Sequence, residues 1–403
     1  MILQDMFNKS IIKQSIECTR DLYPIQNKFI NYSNIKEWLV PYIISYEDIE
    51  IDLLQKNMKE IIKSQPLLRC TFSNKNNLEL NIHDYNEETY IPIYKLSHKE
   101  SIEDYMMSLS KHLKEQQIYG DILYNVAFLV KESQVYFIGV FNHMITDGGF
   151  DFKTKLLTGC SPDEGNLSKY HSYIDKLDTS DNSHFLDYST IKNQILSEHE
   201  VVENNSILFT YATKSLLKHR VYTLEEFWYL TVYNTLFKIF PEYRKLPLCL
   251  LIRGRSYEGV IYSKDFGDFH DEIMLTQQRS SSNEEKLSDF KRYKKQPYKN
   301  AKEYVKFIKE AELPAKSLNS MEPLILLISG KSDFIDEQIE YKKLVPRDKK
   351  HFLSIKVSCY PSLTKFDVSL LFSNTLNNRL KNFEEIIHEE AEKLFNELEK
   401  VSL

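Results

Sequence analysis

Two apolar runs separated by four polar residues constrain this chain more than any other feature. Residues 122–130 (ILYNVAFLV) and 135–141 (VYFIGVF) flank KESQ. Each run has strand length, and both are apolar enough to be covered on two faces, so together they read as a buried hairpin. The second run leads straight into NHMITDGG at 142–149. A rigid strand that ends in a glycine-containing turn is a good support for a reactive side chain. His143 is the candidate reactive group there, with Asp147 four residues on. On spacing alone, a structural histidine at a strand end is the competing reading. A metal pair would need a third ligand, and none suggests itself.

Other elements follow from periodicity. Ile51, Leu54, Met58 and Ile61/Ile62 mark one face of a helix over 50–64. PLLRCTF at 66–72 reads as a strand and 101–117 as a second helix. Thr223 with Glu226 has capping-box spacing ahead of FWYLTVYNTLFKIF, which is apolar on nearly all sides and so reads as a buried helix ended by Pro241. Further strands are expected at 246–255, 321–329, 352–360 and 367–372, and a closing helix at about 378–400. This order indicates a mixed α/β (α+β) architecture. A polar stretch at 161–205 marks the expected boundary between two subdomains, 1–175 and 176–403. With 403 residues, 42% of them hydrophobic, each half can bury a core.

Composition excludes several classes. A net charge of −6 is unlike a nucleic-acid-binding domain. Ten glycines are few for a phosphate-cradling fold, and GKS at 330–332 lacks the earlier glycine of a P-loop because position 325 is Ile325. The five cysteines show no metal-type spacing and suit free thiols in a reducing compartment. No secretory leader and no membrane span is expected, which makes the cytoplasm the expected location. The stretch 286–309 is dense in Lys and Arg with interleaved aromatics. It reads either as a solvated face or as a docking patch for an acidic partner, with Lys291, Arg292, Lys294 and Lys295 as its core.

The motifs together resemble the condensation domains of nonribosomal peptide synthesis and their chloramphenicol-acetyltransferase-like relatives. That family carries HHxxxDG after such a hairpin; here it stands as NHMITDGG. LYPIQNKF at 22–29 resembles the family's opening motif, and QPLLRCTF at 65–72 its LRxxF segment, with Arg69 as the arginine. KYHSYIDKL at 169–177 resembles a Tyr-rich segment. RGRSYEGVIYSKDFGDF at 253–269 resembles the GR loop followed by GxF. The resemblance implies two acetyltransferase-like halves in a V, a pseudo-dimer with a substrate tunnel at its centre.

It also implies roles. His143 matches the second histidine, which deprotonates or orients the attacking nucleophile. Asp147 matches an aspartate that pairs with the GR-loop arginine, here Arg255, and ties the halves together; a triad role for Asp147 is the rival. Gly148 and Gly149 permit close backbone approach, and N–H groups there are candidates to stabilise an oxyanion; an ordinary tight turn into the next helix is the alternative. Asn142 replaces the first histidine, a structural hydrogen-bonding position. Phe269 and Asp271 fall on the tunnel element, Asp271 where the family often has Asn. Arg69 is assigned no chemistry.

The implied activity is condensation of an acyl thioester with an amine to form an amide. The donor would ride on the phosphopantetheine arm of a carrier protein supplied in trans, with no bound metal or redox cofactor. Alternatives are use of acyl-coenzyme A, ester formation, epimerisation, and an inactive binding module.

Overall fold

The structure, a computed structural model, describes residues 7–8, 10–11, 15–22, 26, 36, 38–73, 79–147, 149–161, 183–198, 204–212, 222–253, 256–257, 260–261, 266–267, 270–294, 324–331, 352–359 and 365–401. Two compact units are present. The first comprises Met1–Leu177, Arg253–His270 and Phe334–Pro346; the second comprises Asp178–Ile252, Asp271–Asp333 and Arg347–Leu403. The architecture is the mixed α/β one read from the sequence.

In the first unit, a three-stranded sheet has the order β1–β4–β3, from Ile16–Asp21 (β1), Glu79–His83 (β4) and Cys70–Ser73 (β3). A four-stranded sheet has the order β2–β7–β6–β5, from Leu39–Glu47 (β2), Gln134–Asn142 (β7), Tyr124–Lys131 (β6) and Ile93–Lys95 (β5). The expected hairpin is β6–β7. Lys131 pairs with Gln134, so two residues make the turn, and Glu132 takes a φ of 59°. Left-handed backbone of this kind matches the twist of paired strands in a two-residue connection. β6 and β7 are the inner strands of their sheet, which explains their unbroken apolar runs.

Helices α1 (Ile51–Ser64), α2 (Ile102–Glu115) and α3 (Phe152–Thr158) complete this unit. α1 buries Leu54, Met58, Ile61 and Ile62, the expected stripe. Ser101 caps α2 by accepting the Asp104 N–H, and Met106, Leu109 and Leu113 seat it in a core with Ala127, Leu129, Ile138 and Val140. The reading of 66–72 as one strand is corrected. Pro66–Arg69 is a 3-10 turn, and the strand begins only at Cys70. Proline fixes φ near the helical value and, at a first helical position, loses no needed N–H. Arg69 is buried in this turn. Its guanidinium donates to the carbonyls of Ile62 and His83 and pairs with Glu17, a bracing role between α1 and the small sheet.

In the second unit, α4 (Ser183–Glu198) lies in the stretch that the sequence marks as polar, and β8 (Asn204–Ala212) follows it. α5 (Leu224–Ile239) carries the expected capping box, with Thr223 and Glu226 bonded reciprocally, and is buried nearly all round. β9 (Lys245–Arg253) precedes a ribbon of β10 (Ser256–Tyr257) and β11 (Val260–Ile261), which belongs with the first unit. The remaining elements are β12 (His270–Gln278), α6 (Asn283–Lys294), β13 (Ile325–Lys331), β14 (Leu353–Cys359), β15 (Lys365–Ser373) and α7 (Phe383–Val401).

One sheet of order β12–β9–β13–β14–β15–β8 forms the base of the second unit, with β9, β13 and β14 parallel. α5 packs on it beside α6 and α7. Trp228, Tyr229 and Tyr233 of α5 are fully buried, and aromatics of this size dominate core energetics at about 2–3 kcal/mol each. No helix among the described residues is long and apolar enough to cross a membrane.

Candidate functional site

His143 stands one residue beyond β7. The ladder continues through it, because its main-chain N–H donates to the Trp38 carbonyl at 2.7 Å, just before β2 begins. The Trp38 indole lies edge-on to the imidazole, with ring centroids 6.1 Å apart. His143 is half-buried, whereas its neighbours Asn142, Met144, Ile145 and Thr146 are all buried. One titratable ring therefore emerges from a turn whose other side chains are packed inward.

Two side-chain amides grip that turn. Oδ1 of Asn142 accepts the Met144 N–H at 2.9 Å. Nε2 of Gln26 donates to the Met144 carbonyl at 2.8 Å. Both amides are essentially without exposure, 1% for Asn142 and 0% for Gln26. Asn142 is pinned in turn by its own N–H, which donates to Leu123, and by its carbonyl, which accepts from Ile145. Asn142 thus holds the turn through both its side chain and its backbone.

The acidic end of the motif is built differently. Oδ1 of half-buried Asp147 accepts the Gly149 N–H at 2.8 Å, a short-range turn that closes the loop on itself. The Asp147 N–H donates to the Gly267 carbonyl at 3.2 Å. Gly267 belongs to the stretch matched to the GxF element, so the two motifs touch within the first unit. Phe266 secures the contact. Its ring lies 5.5 Å from that of Phe141 and 5.6 Å from that of Phe150, and its N–H donates to Oε1 of fully buried Gln65 at 2.8 Å. Just past the loop, Asp151 caps α3 by accepting the Thr154 N–H. Gly159 ends α3 with φ 76°, a left-handed conformation that favours glycine.

The site residues expected from sequence therefore divide. His143, Asn142, Asp147 and Gly149 share one turn. Gly148, Arg255, Phe269 and Lys295 lie outside the described residues, as does the segment 169–177. The backbone of Asp271 lies in β12. Lys291, Arg292 and Lys294 lie on α6 in the second unit, each beside a carboxylate. Lys291 is 3.4 Å from Glu226, Arg292 is 3.1 Å from Asp289, and Lys294 pairs with Glu225. Sequence reasoning gave no role to Gln26, Trp38, Gln65 or Phe266. Gln26 and Gln65 sit inside quoted motifs, and buried amides at motif positions were the available signal. Nothing local marked Trp38.

No family model matches the sequence, and neither does any curated protein. Solved structures do match. The epimerization domain from the third module of tyrocidine synthetase B shares 12% identity at a TM-score of 0.71, over 96% of this chain and 99% of that one. A variant of the starter condensation domain of rhizomide synthetase RzmA shares 12% identity at 0.64, over 93% and 97%. The condensation domain from monacolin K polyketide synthase MokA shares 9% identity at 0.64, over 94% and 97%. The chain has the condensation-domain fold across nearly its whole length.

Proposed function

We propose that this chain is an acyltransferase of the condensation type, joining an acyl thioester carried by a carrier protein to an amine. The observation that supports it best is the placement of His143. It is a half-buried titratable ring on a clamped turn, at the end of an inner strand, in a fold shared with condensation domains. Thioester aminolysis needs an amine with a free lone pair, and a neutral imidazole can accept its proton or a hydrogen bond from it. The amine nitrogen attacks the thioester carbonyl, a tetrahedral oxyanion forms, and the C–S bond breaks. The thiol leaves with a proton, and the amide remains. The Gly149 N–H is committed to Asp147, so an oxyanion donor would have to come from another group.

The carrier protein's phosphopantetheine arm, or coenzyme A in its place, would bring the acyl group. A second reading comes from the likeness to an epimerization domain. There His143 would take the Cα proton of a carrier-bound aminoacyl or peptidyl thioester and no amine would be consumed.

One experiment separates the readings. Carrier proteins loaded with a panel of acyl and aminoacyl groups are incubated with the chain, with and without an amine panel, in heavy water. New amide mass that depends on His143 supports condensation. Deuterium at Cα without amide supports epimerisation. A chain that binds loaded carrier and yields neither product is an inactive binding module.

A further inference from the structure

We propose that Gln26 is a positioning residue of this site, acting on His143 through Met144, the residue that follows it. The inference deepens the reading of His143 given above and rests on it for its catalytic consequence. Both main-chain polar groups of Met144 are held by side chains rather than by the sheet ladder. Asn142 takes its N–H and Gln26 takes its carbonyl.

The two grips differ in kind. Asn142 is two residues away and moves with the turn that it closes. Gln26 is 118 residues away in sequence and fully buried. It alone of the pair fixes the turn to a different part of the first unit. Trp38 anchors the peptide on the other side of the His143 Cα through the His143 N–H. On its other side Asn142 holds the adjoining peptide through the Met144 N–H and Gln26 holds the next one through the Met144 carbonyl, so that Cα has little freedom to rotate, and its ring is aimed accordingly. Removing the Gln26 donor frees the Met144 carbonyl to tilt and carries the imidazole with it. Small misplacements of a catalytic group are expensive, costing up to about 100-fold for roughly an ångström.

The test needs a readout of the ring itself. Full-length chain labelled only at its eleven histidines gives imidazole proton–nitrogen spectra, in which His143→Ala identifies the His143 signals. Gln26→Leu keeps the bulk and removes the donor. Gln26→Glu keeps the shape, but its carboxylate cannot donate, whereas its protonated carboxyl can. At neutral pH the His143 signals should move or split in both variants while the other histidines keep their positions. On acidification, the Gln26→Glu signals should converge on those of the wild type at the same pH. His143 signals that superimpose on the wild type in folded Gln26→Leu, or in Gln26→Glu above the pH at which its buried carboxyl ionises, would overturn the inference. Should Gln26→Leu fail to fold, Gln26→Glu alone decides. With a thioester and amine pair that the wild type joins, kcat should fall about 10-fold or more with KM nearly unchanged. If His143→Ala joins the same pair at the wild-type rate, the acyl-transfer reading fails while the spectra still decide the role of Gln26.

Discussion

The main-chain N–H of Asp147 donates to the carbonyl of Gly267, so the histidine turn and a loop from the distant middle of the chain are joined by a backbone hydrogen bond. Backbone contacts tolerate sequence drift, because any pair of residues can make them if the chain is held in place. Here Phe266 and Gln65 do the holding.

It follows that Phe266→Ala should be more damaging than its distance in sequence from His143 suggests. A large buried ring removed from an aromatic cluster costs about 3 kcal/mol or more. Gln65→Leu leaves the Phe266 N–H without its acceptor and should cost about 1–3 kcal/mol. Urea denaturation measures both, and hydrogen exchange at 266–267 should quicken in each variant. Unchanged exchange there would show that the aromatic cluster does not hold the loop.

Asp147 offers a choice between two physical roles, and two substitutions separate them. Asp147→Asn keeps an oxygen to accept the Gly149 N–H but removes the charge. Asp147→Ala removes both. If the local turn is the whole role, Asn should retain stability and Ala should lose about 1–2 kcal/mol. If a buried ion pair with Arg255 also forms, Asn should lose as much as Ala or more. A double-mutant cycle with Arg255→Ala should then show coupling of 0.5 kcal/mol or more, on the order of that seen for contacting groups. Thermal and urea melts of the wild type and these four variants suffice.

The parts of the fold legible in the sequence were those whose environment matched their local pattern. β6, β7 and α5 are buried on nearly all sides, and their apolar runs say so. β2 was not legible, although it pairs with β7 along its whole length, because Pro41 sits inside it. The sheet order explains the exception. β2 is an edge strand, where a missing N–H is tolerated. The turn at Pro66–Arg69 misled because Leu67 and Leu68 are buried by the 3-10 geometry as fully as they would be in a strand. At the site, His143 and Asp147 were legible from their motif. The amides that hold them were not, since Gln26 and Gln65 gain their roles from partners far away in sequence.

The cations on α6 are less available to a partner than their density implies. Lys294 and Lys291 lie against Glu225 and Glu226, the acidic first turn of α5. Such partly exposed pairs contribute little, at most about 1 kcal/mol each. Lys294→Glu would nonetheless put like charges together beside the α5 capping box, and should lower stability as well as any carrier affinity. Arg292, whose side chain is 67% exposed, is the cleaner probe. If this face docks an acidic carrier protein, Arg292→Glu should lower the carrier-dependent rate several-fold at low salt, and the deficit should shrink as salt screens it. A rate insensitive to both changes would leave α6 as a solvated face.

Burial also sets a pH limit. The Cys70 thiol is fully buried and its pKa is pushed up, chiefly by desolvation, from 9.0 to about 12. In the unfolded chain the thiol ionises near its ordinary value, so between roughly pH 9 and 12 the unfolded state has lost a proton that the folded state keeps. The stabilisation from the neutral thiol is therefore whole below pH 9 and is lost as pH rises through that window. Tyr124 and Tyr233, raised by burial as well, add to the loss at higher pH. The urea midpoint should fall above pH 9, and less steeply in Cys70→Val than in the wild type. Parallel pH curves for the two proteins would show that the thiol does not contribute.

His143→Ala is the variant on which the functional reading turns, and the structure says why it should be clean. Several interactions around position 143 use backbone: the N–H donates to Trp38, and the grips of Asn142 and Gln26 are on Met144. None of these needs the imidazole. The ring is half-buried, so its loss removes an edge contact with Trp38 but empties no closed core. The melting temperature should stay within a few degrees of the wild type, the shift expected for a loss of about 1 kcal/mol or less. Product formation should fall at least about 100-fold if the imidazole accepts the proton in the rate-limiting step. His143→Gln adds a finer test, since an amide can orient an amine by accepting a hydrogen bond but cannot take its proton at neutral pH. Partial activity in Gln with none in Ala would assign His143 to orientation. Equal loss in both would assign it to proton transfer. Wild-type turnover by a folded His143→Ala, measured by mass spectrometry of the amide product, would remove His143 from the mechanism.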